Sequence, residues 1–275
     1  MIEKNTLVVV LTVYLNDNLD EFKQALDSLY SQTYKSFDIY VQEDGEVTDE
    51  IHSYLENEFK CKRINFLGMR KINKGFDYSL NELINRAMEN GYQYILRMDA
   101  DDICYPERIQ KQFDFMQENP DIDVSGTYIQ ELGHDMKYSK LVTYPPSHND
   151  MLNFFKKRVP IAHVTAIFRK SFFEKAGFYE KDGHINNGDT LMWMKGFNSN
   201  CRFANIPIIG VRVRVSKNFF KRRSGLNKIW NDFLNRLEVN KSLKFGITSY
   251  FYAFGIFVIS FAPNRIKKFL YRHLR

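Results

Sequence analysis

"LVVVLTV" fills residues 7 to 13, and "LDEFKQALDSLY" follows at 19 to 30. The first is a continuous, mostly β-branched run with no position set aside for water, which is how a strand buried on both faces reads. The second sets Leu19, Phe22, Leu26 and Leu29 at helical spacing, so an amphipathic helix follows that strand.

The alternation continues outward from this unit. "FDIYV" (37 to 41) is a second strand, "TDEIHSYLENEF" (48 to 59) a helix with Thr48 as its N-cap, and "INFL" (64 to 67) a third strand. "DYSLNELINRAMENG" (77 to 91) aligns Leu80, Leu83, Ile84, Ala87 and Met88 and stops at Gly91, a C′ glycine, before the strand "YQYILRM" (92 to 98). Strands alternating with helices imply right-handed crossovers, a mainly parallel sheet, and a ligand crevice at the carboxyl ends of its strands. Pro106 is expected at N1 of a helix reaching about Glu118, and "DIDVSGTYIQ" (121 to 130) is a further strand. Beyond it the pattern loosens: "TYPPSHND" (143 to 150) reads as a loop, "HVTAIFRK" (163 to 170) and "CRFANIPIIGVRVRV" (201 to 215) as strands, and "DTLMWMKGF" (189 to 197) as a helix.

With 44% apolar and 15% aromatic residues, the 275-residue chain can bury a large core. The net charge of +6 is concentrated in "VRVRVSKNFFKRR" and "NRIKKFLYRHLR", which favours a local anionic partner over a general polyanion binder. No base-stacking or groove-reading motif accompanies it, so nucleic acid is not expected. Cys61, Cys104 and Cys201 are widely spaced and odd in number, which supports neither a disulfide framework nor a zinc site and suits a reducing cytosol. "MIEKNTLVVVLTV" lacks the cleavage site of a signal peptide. "SYFYAFGIFVISFA" (249 to 262) is uncharged, and Arg265, Lys267, Lys268, Arg272 and Arg275 follow it. It is shorter than the roughly 20 residues that span a bilayer. It reads as a helix lying on an anionic membrane surface or, alternatively, packed on the body.

"YILRMDADDICYPER" (94 to 108) places Asp99, Asp101 and Asp102 within four positions. At the carboxyl end of a strand, three carboxylates call for a cation, and all-oxygen ligands select Mg²⁺ or Mn²⁺. An EF-hand is excluded, because its glycine position would be Cys104 and its twelfth position Gln110.

"TVYLND", "SLYSQTYKSFDIYVQEDG", "NKGFDYSLNELINRA" and "YILRMDADDICYPERIQKQ", in this order and spacing, resemble successive signatures of the family 2 glycosyltransferases. "RVPIAHVTAIFRKSFFEKAGFY" and "FFKRRSG" add similarity to bacterial enzymes building O-antigen, capsule or exopolysaccharide. The resemblance implies a GT-A fold, a Rossmann-like α/β architecture with a mainly parallel central sheet flanked by helices. It implies a glycosyltransferase domain over residues 1–225, with a nucleotide-sugar half at about 1–130 and an acceptor half at about 131–225. Residues 226–275 would be a helical, membrane-associating extension. The implied enzyme is inverting and metal-dependent, peripheral on the cytoplasmic face of the membrane. It would move galactose or glucose from a UDP-sugar to a saccharide on undecaprenyl diphosphate.

Residue by residue, the resemblance implies that Thr12 and Tyr14 border the nucleotide, Asp44 binds the uracil ring beside a tight turn at Gly45, and Asn73, Lys74 and Gly75 flank the ribose and diphosphate. Asp99, Ala100 and Asp101 form the DxD motif, with Asp101 the direct metal ligand, Asp99 near ribose and metal, and Asp102 a supporting acid. Asp189 matches the catalytic base, while Gly188 replaces the usual glutamate before it; Asp189 could alternatively cap its helix. Lys221, Arg222 and Arg223 match a segment closing over the diphosphate or facing lipid headgroups. His163 matches an acceptor-side position, although a lone histidine in an apolar strand is more often a satisfied core residue. Two rivals remain open: a sugar nucleotidyltransferase, disfavoured because "TVYLNDNLDEF" is not a glycine-rich loop, and a non-catalytic, membrane-associated sugar-nucleotide-binding protein.

Overall fold

In the computed structural model, which describes residues 5–133, 139–180, 188–215 and 225–263, strand β1 (Leu7–Val13) is covered on both faces. Leu7, Val9, Leu11 and Val13 pack with Phe22, Leu26 and Leu29 of helix α1 (Leu19–Tyr30) and with Ile51 and Leu55 of α2 (Asp49–Lys60). Val8 and Val10 face the other way, onto Leu80, Leu83 and Ile84 of α3 (Phe76–Glu89). Each such side chain contributes about 1.5–3 kcal/mol of hydrophobic stabilisation, which is why the run carries no polar alternation. Local chemistry sets the helix ends: Asn18 accepts from the Asp20 and Glu21 N–H groups, Thr48 accepts from Ile51 N–H at 3.3 Å, and Gly91 beyond α3 has φ 85°.

β2 (Phe37–Glu43), β3 (Phe66–Gly68) and β4 (Tyr94–Arg97) join β1 in the order β3-β2-β1-β4, all parallel. This half meets the expectation of a parallel sheet. The other half is mixed. β8 (Ile167–Arg169) runs antiparallel to β4 and to β6 (Val124–Gly133), and β9 (Phe203–Val215) is parallel to β6. β5 (Ile103–Cys104) and β7 (Ser139–Val142) add antiparallel edges to β9 and β6. Register shifts at Thr127, Tyr128 and Ile129 bend β9 where Gly210 meets Thr127, whose Oγ1 lies 2.2 Å from the place a Cβ would take. The bend brings Arg212 and Arg214 to the acidic segment after β4.

Three local expectations are corrected. Pro106 precedes rather than opens helix α4 (Arg108–Glu118); the buried Gln32 accepts from Ile109 N–H at 3.0 Å and donates to Tyr105 O at 2.8 Å, so α1 positions the start of α4. "HVTAIFRK" begins as a 3-10 turn over His163–Thr165 before β8. "TYPPSHND" ends in helix α5 (His148–Phe155), capped by Ser147.

Helices α6 (Lys170–Ala176) and α7 (Gly188–Asn198) cover the same sheet face as α3, with Trp193 fully buried against Phe168, Phe172 and Phe203. Helix α8 (Leu226–Ser242) packs on α7 and sends Val239 into this core, and α9 (Ile247–Ile259) packs on α8. No helix among the described residues is long and apolar enough to cross a membrane.

Arg108 is buried without a carboxylate partner. It donates to Gln112 Oε1 at 2.8 Å, Arg97 O at 3.0 Å and Val164 O at 2.9 Å. These bonds tie α4 to the end of β4 and to the turn before β8. Arg108→Met leaves both backbone carbonyls without that donor and is expected to lower stability by about 3 kcal/mol in urea unfolding. An unchanged midpoint would show that the guanidinium bonds contribute nothing net.

Candidate active site

At the carboxyl end of β1 and β4, a cleft of about 480 Å³ is bordered by Thr12, Tyr14, Asp17, Phe76, the run Asp99 to Asp102, Val213, Arg214 and Lys228. Thr12, Tyr14, Asp99, Ala100, Asp101 and Asp102 are thus brought together as the sequence suggested. The chain supplies part of the compensating charge itself. Arg97, buried at the end of β4, pairs with Asp99 and lies over the Phe76 ring. The Arg214 backbone N–H donates to Asp102 Oδ1 at 2.9 Å, and its side chain donates to Asp101 O at 2.7 Å.

Compensation is incomplete. Burial, then the charge of Asp99, pushes Asp101 up to about 6 and Asp102 well above its ordinary value. Asp17, which accepts from Tyr14 N–H at 2.9 Å, is pushed up to about 7 by burial and by Asp101 and Asp99. Asp99, Asp101 and Asp102 each offer an oxygen within 4.8 Å of the others. An all-carboxylate donor set with its charge under-neutralised fits a hard divalent cation such as Mg²⁺ or Mn²⁺.

Asp44 sits beside this cleft in its own cluster. Its Oδ1 accepts from Arg70 at 2.7 Å and from Lys74 N–H at 2.9 Å, and Asn73 Nδ2 donates to the Asp44 carbonyl at 2.9 Å. Gly45 has φ 85°, and a Cβ there would stand 2.7 Å from Asn73 N, so the expected tight turn requires glycine. Gly75 N–H donates to Asn73 Oδ1 at 3.0 Å. His163 lies in the 3-10 turn, with Nε2 2.6 Å from Tyr179 Oη and its ring edge-on to Phe76 and Trp193. Burial and the Arg97 charge hold its imidazole neutral. Lys221, Arg222 and Arg223 lie outside the described residues.

Asp189 is in the first turn of α7, inside the helix rather than at its cap, and accepts from Thr190 N–H at 2.7 Å. It faces a second cavity of about 520 Å³ between α7, α8 and α9, and Lys228 borders both spaces. Asp77 of α3 is the acid that sequence reading missed. A Cβ on Gly188 would lie 2.1 Å from Asp77 Oδ2, so this carboxylate fills the space a side chain at 188 would claim. The signal was the glycine opening a helix, where side chains are usual. Asp17 and Arg97 stood in quoted motifs without a role, while Arg70 and Arg214 carry no motif.

Burial, then the Asp189 charge, raises Asp77 from 3.8 to about 6. The folded state therefore holds an extra proton between these values, and stability falls as pH rises through that window. Asp77→Asn is expected to be more stable than wild type by about 1 kcal/mol at neutral pH, with the gain gone near pH 4. Denaturant titrations at the two pH values check this; the same difference at both would remove Asp77 from the electrostatic account.

The model of the family described as "Glycosyl transferase family 2" matches residues 8–177, more than half of the chain. The amylovoran biosynthesis glycosyltransferase AmsE of Erwinia amylovora is 27% identical over 96% of this chain and 97% of that protein. The UDP-Gal:alpha-D-GlcNAc-diphosphoundecaprenol beta-1,3-galactosyltransferase of Escherichia coli is 28% identical over 79% of this chain and 77% of its own. Among solved structures, S. aureus TarS 1-349 in complex with UDP-GlcNAc superposes with a TM-score of 0.62 at 16% identity, covering 95% of this chain and 82% of that one. At that identity the likeness speaks for the fold.

Proposed function

The chain belongs to glycosyl transferase family 2, and on that premise we propose that it transfers a hexose, galactose or glucose, from a UDP-sugar to a lipid-linked saccharide with inversion at the anomeric carbon. The observation that carries this reading is the acidic cluster at the end of β4, opening onto a cleft that shares Lys228 with the cavity bordered by Asp189. The names of the two relatives support a role in bacterial surface polysaccharide synthesis, and the galactosyltransferase's name supports UDP-sugar as donor and a diphosphoundecaprenol-linked acceptor.

Asp101, with Asp99, would hold Mn²⁺ or Mg²⁺, which when bound supplies positive charge to a departing nucleoside diphosphate. Asp102 fastens the acidic segment to β9. Asp44 keeps Oδ2 clear of the two bonds on Oδ1, leaving it to accept from the uracil N–H. Thr12 and Tyr14 flank the nucleotide, and Asn73, Lys74 and Gly75 border the ribose and diphosphate.

Asp189 takes the proton of the acceptor hydroxyl as its oxygen bonds to the anomeric carbon. The electron pair of the broken sugar–phosphate bond leaves with UDP, and attack from the opposite face inverts the centre. Asp77 occupies the place left by Gly188 and holds a neighbouring acceptor hydroxyl. Neutral His163 keeps Tyr179 and Phe76 in position behind this pair. The domain division at residue 225 and peripheral attachment to the cytoplasmic membrane face belong to the same proposal.

Calorimetry with UDP is expected to show binding that requires Mn²⁺ and is lost in Asp101→Ala; equal binding with a chelator present would overturn the metal assignment. Asp189→Asn should abolish transfer and keep UDP affinity, whereas Asp77→Asn should raise the acceptor KM about tenfold with UDP affinity intact. Loss of UDP binding in either variant would place that acid on the donor side instead.

A further inference from the structure

The cavity bordered by Asp189 extends away from the acidic cluster, between α8 and α9, and its chemistry is divided. One wall is cationic and hydrogen-bond donating. Arg236 of α8 is largely desolvated, and burial lowers its pKa from the ordinary arginine value. Its guanidinium makes no hydrogen bond or ion pair among the described residues; the nearby Asp232 carboxylate is engaged by Lys228 at 2.9 Å. The preceding residue, Asn235, is 5% exposed, lines the same cavity, and has an Nδ2 with no hydrogen-bond partner among the described residues. An unsatisfied amide donor beside a largely desolvated guanidinium in one cavity points to a ligand rich in acceptor oxygens.

The opposite wall is apolar. Phe233 and Phe257 line it in a tilted contact with ring centroids 4.5 Å apart, and Trp230, outside the lining, adjoins Phe257 at 5.8 Å. Phe251, Phe254 and Val258, on the same helix α9 as Phe257, are exposed. Donors inside, an apolar wall leading outward, and a carboxylate at the inner end describe a site for an amphiphile with an oxyanion between its sugar and its hydrocarbon.

We propose that this cavity binds the phosphorylated head of the lipid-linked acceptor, with Arg236 and Asn235 on phosphate oxygens and the first part of the lipid along Phe233 and Phe257. The assignment rests on the reading of Asp189 as the base, because the sugar at the inner end must meet it. It moves acceptor recognition into the C-terminal helix pair, for which the sequence suggested membrane contact or packing on the body. Lys228, bordering both spaces, marks where donor and acceptor sides meet. The cavity volume of about 520 Å³ lies in the usual range for small-molecule sites.

The test uses the whole chain and farnesyl diphosphate as probe, with inorganic diphosphate and farnesol as its two halves. Farnesyl diphosphate should bind at least tenfold more tightly than either half. Arg236→Gln should weaken it about tenfold, and Asn235→Ala should weaken it in the same direction. Mn²⁺-dependent UDP binding should be unchanged in both. Because Arg236→Gln removes a largely desolvated charge, its thermal midpoint should stay level or rise, which separates lost binding from lost folding.

Equal affinity of wild type and Arg236→Gln for farnesyl diphosphate, or no binding to wild type, overturns the proposal. Loss of UDP binding in Arg236→Gln also overturns it, by assigning the arginine to the donor diphosphate. Failure of UDP to bind the wild-type chain is a different result: it removes the donor reading, whereas intact UDP binding with indifferent farnesyl diphosphate removes only the acceptor site.

Discussion

Arg108 is a cation placed where no carboxylate answers it, and the geometry of the acidic cluster depends on it. A buried guanidinium has five N–H groups to satisfy, and here backbone carbonyls and Gln112 take that part. The carbonyls belong to Arg97, at the end of β4, and Val164, in the turn before β8. Three segments distant in sequence are thereby held at one point. Arg97 then has a fixed backbone from which to reach Asp99, and the following acids emerge where the bent end of β9 can meet them. Two positive side chains are built into the cluster, yet Asp101 and Asp102 remain costly to ionise.

Much of the first half was legible from residues alone, because its constraints are local. A strand buried on both faces must be apolar throughout, as Leu7–Val13 is, and a helix on its surface must repeat every three to four residues, as α1 does. Thr48 and Gly91 mark their helix ends by side-chain and backbone chemistry that acts within a turn. The second half was less legible because its signals are long-range. Gln32, on α1, sets the start of α4, so Pro106 misleads; β8 is too short to show a period, and its direction follows from its neighbours in the sheet.

The same division runs through the site. Asp99, Asp101 and Asp102 announce themselves by crowding, and Asp44 and Gly45 by a turn that only glycine permits. Arg70 and Arg214 reach their partners across 26 and 112 positions, distances at which no spacing rule operates. The C-terminal helices showed their apolar outer face in the sequence, but not that α8 carries, on one cavity, a desolvated arginine and an asparagine whose Nδ2 has no partner among the described residues. Those are properties of packing, not of pattern.

The contact between Gly188 and Asp77 ties two distant positions into an either-or relation. A side chain at 188 and the present placement of the Asp77 carboxylate claim the same volume. Substitution at one position alone passes through a chain with a displaced acid or with no acid there. The relation is one-way: position 77 can change first, whereas a side chain at 188 is accommodated only once the Asp77 carboxylate has moved or gone.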